Sequence, residues 1–149
     1  MSRRAIIFDI DGTLLQSAAD DDRLYREAVC QVLGRVELRA TLHDYPHVTD
    51  TGILRQILDD NGLPQTAAAV ADVQDVFFSL LRQHIDRHGT FAAVPGAQEY
   101  FYRLLDDRTT DVAIATGGWR GSAQMKLSAA GFDPQCVPLA TSDDAAERT

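Results

Sequence analysis

The stretch AIIFDIDGTLL at residues 5–15 decides the fold that the sequence predicts. Residues 5–8 are apolar and rich in isoleucine, which is typical of a strand buried on both faces of a parallel sheet. The turn-forming residues 11–13 end this strand. Because side chains alternate along a strand, Asp9 and Asp11 lie on the same side and bring two carboxylates together at its end.

A helical region follows this first strand. Apolar residues recur at helical spacing in three segments before residue 89. Turn or stop signals close all three segments: Gly34 ends the first, Asn61-Gly62 the second and His88-Gly89 the third. The sequence therefore predicts a block of three helices, which we place at residues 17–89.

Strands and helices alternate in the rest of the chain. The expected elements are, in order, a helix at residues 97–105, a strand at 112–115, a helix closed by Gly131, a strand at 136–140 and a further helix starting at Thr141 or Ser142. Such alternation predicts an α/β protein with a parallel sheet. Its core is expected to comprise residues 1–16 and 90–149, with the helical block inserted as a cap.

A second polar cluster, Thr116-Gly117-Gly118, follows the second predicted strand. Ligands of open parallel sheets bind beyond the carboxyl ends of the strands, so we expect this cluster to face Asp9 and Asp11. Mg²⁺ would neutralise the two carboxylates, since it prefers few carboxylates together with water and substrate phosphate. The Thr116 hydroxyl and the amides of Gly117 and Gly118 form a candidate phosphate cradle. The pattern favours phosphoryl transfer with a carboxylate nucleophile and a second carboxyl as acid and base.

Two motifs resemble those of the haloacid dehalogenase-like (HAD) hydrolase superfamily. FDIDGTLL at residues 8–15 resembles its first motif, and IATGG at residues 114–118 resembles its second, which supplies a phosphate-binding hydroxyl. The helical insert is similar to the cap of the phosphoglycolate-phosphatase-like branch, and Thr49-Asp50 with Ile53-Leu54 resembles a recurrent segment of that cap. The resemblance implies a three-layer, Rossmann-like parallel α/β core with an inserted α-helical cap.

The resemblance also implies a role for each site residue. Asp9 would attack phosphorus and bind Mg²⁺, while Asp11 would act as acid and base and lend its main-chain carbonyl to the metal. Thr116 and Gly117 would hold phosphate oxygens, and Lys126, one helix after the second motif, would balance the phosphate charge. The implied function is Mg²⁺-dependent hydrolysis of a small phosphorylated metabolite, a phosphate monoester, through an aspartyl-phosphate intermediate.

The chain departs from the family pattern near its C-terminal end. The family's fourth motif, an acidic pair, follows a further strand, whereas Ser142-Asp143 and Glu147 come one strand too early. We therefore expect a C-terminally truncated core whose first strand is an exposed apolar edge, and such an edge favours self-association. A non-catalytic truncated chain or phosphate-binding module is one alternative, and a sugar-phosphate mutase is another.

Composition narrows the partners and the compartment. The chain has 149 residues, 45% of them hydrophobic and 24% charged, which is the balance of a globular protein. A net charge of −8 argues against nucleic acid as a partner. The N-terminal apolar run is too short for a signal peptide or a membrane span, so no membrane partner is expected. Cys30 and Cys136 belong to no metal-binding pattern, which favours reduced thiols and a cytoplasmic location.

Several other polar residues have simple structural explanations beside a functional one. His84 and His88 have the spacing of metal ligands on a helix, but histidines are also favoured near a helix C-terminus. His43 and His47 lie where a cap would face the substrate, although a surface loop is the simpler explanation. Arg120 could reach a phosphate or lie in the solvated first turn of its helix, and Trp119 is as consistent with packing as with recognition.

Overall fold

A computed structural model of the chain describes residues 3–147. Three parallel strands form one sheet in the order β1-β2-β3: β1 (Arg4–Phe8), β2 (Thr110–Ala115) and β3 (Leu139–Ala140). Ile6 is paired with Val112, and Ile114 with Leu139. The predicted α/β class and its parallel sheet are confirmed.

Five α-helices and one short 3₁₀-helix complete the described fold. They are α1 (Ala18–Leu33), the 3₁₀-helix Leu42–Asp44, α2 (Asp50–Asp60), α3 (Ala67–His88), α4 (Ala97–Leu105) and α5 (Arg120–Ala129). The Thr49 and Thr66 hydroxyls cap α2 and α3 by accepting hydrogen bonds from the backbone N–H groups of Gly52 and Ala69. The predicted stops are in place, because α1 ends before Gly34, α2 before Asn61 and α3 before Gly89.

The segment after α5 differs from the prediction. The third strand covers only Leu139–Ala140 rather than residues 136–140, since Cys136 lies in a turn closed by a hydrogen bond from its N–H to the Asp133 carbonyl. No helix begins at Thr141 or Ser142 within the described residues. The Asp144 carboxylate instead accepts a hydrogen bond from the Thr141 N–H (2.8 Å) and the Asp144 N–H donates to the Thr141 carbonyl (3.0 Å), which closes a turn.

Strand β1 is an edge strand with one uncovered face. Phe8 packs its ring against Phe101 of α4, with 5.6 Å between centroids, so this face of β1 joins the core. Ile7, on the opposite face, is 66% exposed. The prediction that β1 is buried on both faces is therefore wrong for the Ile7 face. Within residues 3–147, β2 alone pairs with β1.

An aromatic cluster joins the helical insert to the sheet region. Tyr25 of α1 and Phe77 of α3 lie with their ring centroids 5.6 and 6.0 Å from that of Trp119, which precedes α5. All three side chains are fully buried. The cluster therefore packs α1 and α3 against the segment that precedes α5, while the division into a core and a cap at residues 17–89 stays a prediction. No helix in the described part of the chain is long and apolar enough to cross a membrane.

Candidate active site

A cleft of about 360 Å³ lies beyond the carboxyl ends of β1 and β2. The sheet side of the cleft is lined by Asp9, Asp11, Thr116, Gly117 and Gly118. These residues come from two segments about a hundred positions apart, and parallel pairing of β1 with β2 brings the segments together. The site is thus located where ligands of open parallel sheets bind.

A tight loop holds the two aspartates. The Gly12 N–H donates to the Leu15 carbonyl (2.7 Å), and the N–H groups of residues 13–15 all approach the Ile10 carbonyl at 3.0–3.1 Å. Gly12 has φ of 85°, a conformation that favours glycine over residues with a side chain. Ile10 and Leu15 are fully buried, which anchors the loop. Asp9 and Asp11 therefore project from a backbone with little freedom.

Lys126, the single lysine of the chain, lies behind Asp11. Its Nζ donates to Asp11 Oδ1 (2.7 Å) and to Asp21 Oδ1 (2.6 Å), and its side chain is only 1% exposed. Burial alone lowers the pKa of Lys126, but Asp21 and Asp11 together raise it above the ordinary lysine value. The ammonium group is thus held charged beside the cleft. A direct role toward phosphate stays a prediction.

Asp21 is a residue of the cleft that no sequence motif indicates. It lies in the first turn of α1, and its carboxylate binds Lys126. Burial raises its pKa to about 6, an effect that the Lys126 charge opposes and the Asp11 charge reinforces. Ser17 also donates a hydrogen bond to Asp11 Oδ1. Asp11 is therefore fixed by contacts from residues at the start of the insert and from α5.

The loop between β2 and α5 is bound to the insert. Within this loop, Thr116 Oγ1 accepts a hydrogen bond from the Gly118 N–H (3.1 Å). Asp50, the first residue of α2, accepts a hydrogen bond from the Trp119 N–H (2.9 Å) through Oδ2, and its own N–H donates to the Gly117 carbonyl (2.8 Å). Burial, followed by the nearby charge of Asp21, raises the pKa of Asp50 well above the ordinary value.

The close approach of this loop to the insert requires glycine at position 117. A Cβ atom at Gly117 would lie 2.5 Å from the Val48 carbonyl oxygen. At Gly118 the nearest atom would be 3.5 Å away, an ordinary contact. The Gly117 backbone therefore supplies the surface on which the N-terminus of α2 docks.

Of the other candidate residues, His43 alone lines the cleft within residues 3–147. Asp143 accepts a hydrogen bond from the Arg120 N–H (2.6 Å), and Arg120 pairs with Asp144 (2.7 Å) rather than facing the cleft. Glu147 lies 3.8 Å from His47 across a separate depression. Trp119 is packed, whereas His43 does line the cleft.

Residues 3–147, including those of the cleft, contain no complete cluster of metal-ligating side chains. The rings of His84 and His88 lie 4.8 Å apart, but no group of three or more His, Cys, Asp or Glu side chains in residues 3–147 could hold a metal ion. Asp9 and Asp11 both line the cleft, and their role as holders of a cation stays a prediction. Two carboxylates that leave room for water and phosphate suit Mg²⁺ better than a metal that needs a complete protein cage.

Comparison with known proteins assigns the family. A sequence model of haloacid dehalogenase-like hydrolases matches residues 3–146, which is nearly the whole chain. The chain therefore belongs to the haloacid dehalogenase-like hydrolase family. No curated protein sequence matches it.

Solved structures share its fold. A hydrolase from Pseudomonas syringae superposes with a TM-score of 0.72 at 22% identity, over 97% of this chain and 63% of that one. CbbY from Rhodobacter sphaeroides, in complex with xylulose-(1,5)bisphosphate, superposes with a TM-score of 0.70 at 19% identity. The match covers 98% of this chain and 66% of that one. A Lactobacillus plantarum protein superposes with a TM-score of 0.62 at 20% identity, over 99% of this chain and 66% of that one. Phosphoglycolate phosphatase function has been assigned to that protein by inference. The chain thus spans less than two thirds of the first of these proteins, and the likeness shows the fold alone.

Proposed function

We propose that this protein hydrolyses a small phosphate monoester in a Mg²⁺-dependent reaction through an aspartyl-phosphate intermediate. The observation that carries the proposal is the meeting of Asp9, Asp11 and Thr116 in one cleft beyond the carboxyl ends of β1 and β2. Membership of the hydrolase family supports it, as do fold relatives that bind or are assigned to act on phosphorylated compounds.

The chemistry requires two proton transfers. In the first half-reaction the Asp9 carboxylate attacks phosphorus, the ester P–O bond breaks, and the leaving alkoxide takes a proton from Asp11. In the second, Asp11 accepts a proton from water, whose oxygen attacks the aspartyl phosphate. Inorganic phosphate leaves and the Asp9 carboxylate is regenerated. Both named contacts to Asp11 use Oδ1, so we assign the proton transfers to Oδ2.

Asp9 and Asp11 are the residues that we expect to hold Mg²⁺. The bound cation would supply charge neutralisation for the phosphate and the nucleophile. Thr116 and the loop glycines would position the transferring phosphoryl group, and Lys126 would keep Asp11 in place. The residues of the insert that line the cleft would select the leaving group and exclude bulk water.

We place the reaction in the cytoplasm. Cys30 and Cys136 are both free and exposed, which fits a reducing compartment. Nucleic acid is not a proposed partner, because the net charge of −8 opposes it.

Hydrolysis of p-nitrophenyl phosphate by the 149-residue chain tests the proposal. We expect turnover that requires Mg²⁺, disappears with a chelator and falls at least about a thousandfold in Asp9→Asn. Circular dichroism of both proteins checks that the variant is folded. Equal turnover in Asp9→Asn and the wild type would refute Asp9 as nucleophile, and no turnover from the folded wild type would refute the hydrolase activity of this chain.

A further inference from the structure

The insert side of the cleft carries acidic groups and no strong base. Asp21, Asp22 and Asp50 line it together with small and apolar residues. No lysine or arginine lines the cleft among the residues that the structure describes, and His43 is the one basic side chain there. A ligand that enters the cleft therefore meets carboxylates on the sheet side and on the insert side.

Two cations that bind acidic residues of the cleft lining are already engaged. Lys126 binds Asp11 and Asp21 and is almost completely buried. Arg26 binds Asp22 at 2.8 Å and also donates to the carbonyls of Arg39 and Ala40, both at 3.1 Å. Neither cation can receive an anionic group of a ligand without losing these partners.

The remaining wall of the cleft suits an uncharged group. Ala18, Ala19, Leu42, Val48 and Ile53 supply apolar surface on the insert side. A volume of about 360 Å³ is near the lower end for ligand pockets, which favours a small leaving group beside the phosphate. An anion placed against this wall would lose its hydration without gaining a cation in exchange.

We propose that the substrate is a small monoester whose phosphate is its only anionic group. The leaving group is an uncharged or cationic alcohol, and esters with a second phosphate or a carboxylate are poor substrates. This inference rests on the proposed function and adds the substrate class to it. It makes phosphoglycolate and bisphosphates, the chemistry associated with two of the fold relatives, unfavourable for this cleft.

Three esters on one two-carbon skeleton test the inference directly. They are 2-hydroxyethyl phosphate, O-phosphoethanolamine and 2-phosphoglycolate, whose second carbon is a CH2OH, a CH2NH3⁺ or a carboxylate group. The kcat/KM for 2-phosphoglycolate is expected to be at least about tenfold lower than for either other ester. An equal or higher kcat/KM for 2-phosphoglycolate overturns the inference.

A binding measurement separates this inference from the proposed catalysis. The affinities of the three esters for the Asp9→Asn chain, measured by calorimetry with Mg²⁺, are expected to follow the same order. If the wild type turns over no ester but this order of affinity holds, the substrate class stands and the hydrolase activity fails. If 2-phosphoglycolate binds as tightly as 2-hydroxyethyl phosphate, or if no ester binds, the inference is overturned.

Two pairs of proteins test whether the lack of a free cation in the cleft disfavours a second anionic group. Thr41 is exposed and lines the cleft, so Thr41→Lys adds the missing cation, and Thr41→Gln is the uncharged control. We expect Thr41→Lys to bind 2-phosphoglycolate about tenfold more tightly than Thr41→Gln does. His43→Gln, compared with the wild type, is expected to leave the order of the three esters unchanged. A selective loss of 2-phosphoglycolate binding in His43→Gln would identify His43 as a receptor for a second anion and overturn the inference.

Discussion

At the scale of single residues, Lys126 connects two parts of the chain through charge. Its ammonium group lies between Asp11, after β1, and Asp21, in the first turn of α1. Removing one partner of a buried ion pair leaves the other charge without compensation, which costs far more than an exposed pair contributes. The side chain is therefore expected to matter for stability as well as for the site.

We expect Lys126→Met to lower the free energy of unfolding by about 3–5 kcal/mol, because it leaves two carboxylates facing each other. Urea denaturation measures the change. Arg82→Met, which removes an exposed cation from α3, is the control and should change stability by less than about 0.5 kcal/mol. A loss below about 1 kcal/mol for Lys126→Met would contradict the ion pairs described here.

Asp50 gives a pH-dependent prediction. Its pKa is higher in the folded chain than the ordinary 3.8, so the folded chain retains the proton at pH values where the unfolded chain has released it. Stability contributed by this group is therefore lost as pH rises from about 4 through the raised pKa. Asp50→Asn resembles the protonated form and keeps an oxygen that can accept the Trp119 N–H.

We expect Asp50→Asn to gain stability relative to the wild type as pH rises from about 4 to about 8. Urea denaturation at a series of pH values measures the difference. Asp59→Asn, which removes an exposed carboxylate near the end of the same helix, serves as the matched control. The account of Asp50 fails if the wild type gains stability over Asp50→Asn with rising pH.

Some residues of the site can be predicted from the sequence, and others cannot. Asp9, Asp11 and the cluster at residues 116–118 could be placed together because each follows a strand, and parallel strands end at one edge. Asp21 and Asp50 could not, because an acid in the first turn of a helix is common for reasons of the helix dipole alone. Their partners lie 105 and 69 positions away, and no local pattern encodes such contacts.

At the scale of elements, the loop between β2 and α5 and the N-terminus of α2 form one contact. Asp50 exchanges hydrogen bonds with this loop at two places. The adjacent Thr51 hydroxyl accepts a hydrogen bond from Trp119 Nε1 (2.8 Å). The backbone N–H of Thr51 donates to Ser142 Oγ (2.9 Å). The insert is thus docked on the loop that we expect to hold phosphate.

Gly117→Ala tests this docking. A methyl group 2.5 Å from the Val48 carbonyl oxygen must displace backbone, so we expect a loss of about 1–3 kcal/mol in unfolding free energy. The value is measured by urea denaturation. Gly118→Ala, whose methyl group would meet only ordinary contacts, is the matched control and should lose much less. Equal losses in the two variants would contradict the docked arrangement.

The helices could be predicted more completely than the strands. Repeated apolar spacing and stop residues such as Gly34 and Gly89 define helices locally, and α1 and α3 end before them. Tertiary contacts instead decide the length of the third strand and the absence of the expected helix at Thr141 within the described residues. Asp143 and Asp144 bind backbone N–H groups of Arg120 and Thr141, and these contacts favour a turn over a helix start.

At the scale of the whole molecule, β1 leaves one strand edge unpaired within residues 3–147. Residues 4–8 pair with β2 on one side only within the described chain, and Ile7 is exposed on the face of the sheet. Unpaired strand edges with apolar side chains are sites for pairing with another chain. We propose that the 149-residue chain self-associates through β1.

Light scattering combined with size-exclusion chromatography measures this association. We expect a dimer or larger species for the wild type and a shift toward monomer in Ile7→Lys, because a charge on an edge strand opposes pairing. Ala129→Lys adds the same charge at an exposed position on α5 and is expected to leave the association unchanged. A monomeric wild type would contradict the proposal.

A covalent intermediate located by mass spectrometry would show whether Asp9 carries the phosphoryl group. Acetyl phosphate has a good leaving group, so Asp11→Asn should still form the aspartyl phosphate but hydrolyse it slowly. We expect mass spectrometry of Asp11→Asn, incubated with acetyl phosphate and Mg²⁺, to find one added phosphoryl group on Asp9. The adduct should be absent from the double variant that carries both Asp9→Asn and Asp11→Asn. A phosphoryl group on another residue, or none on a folded Asp11→Asn chain, would contradict the account.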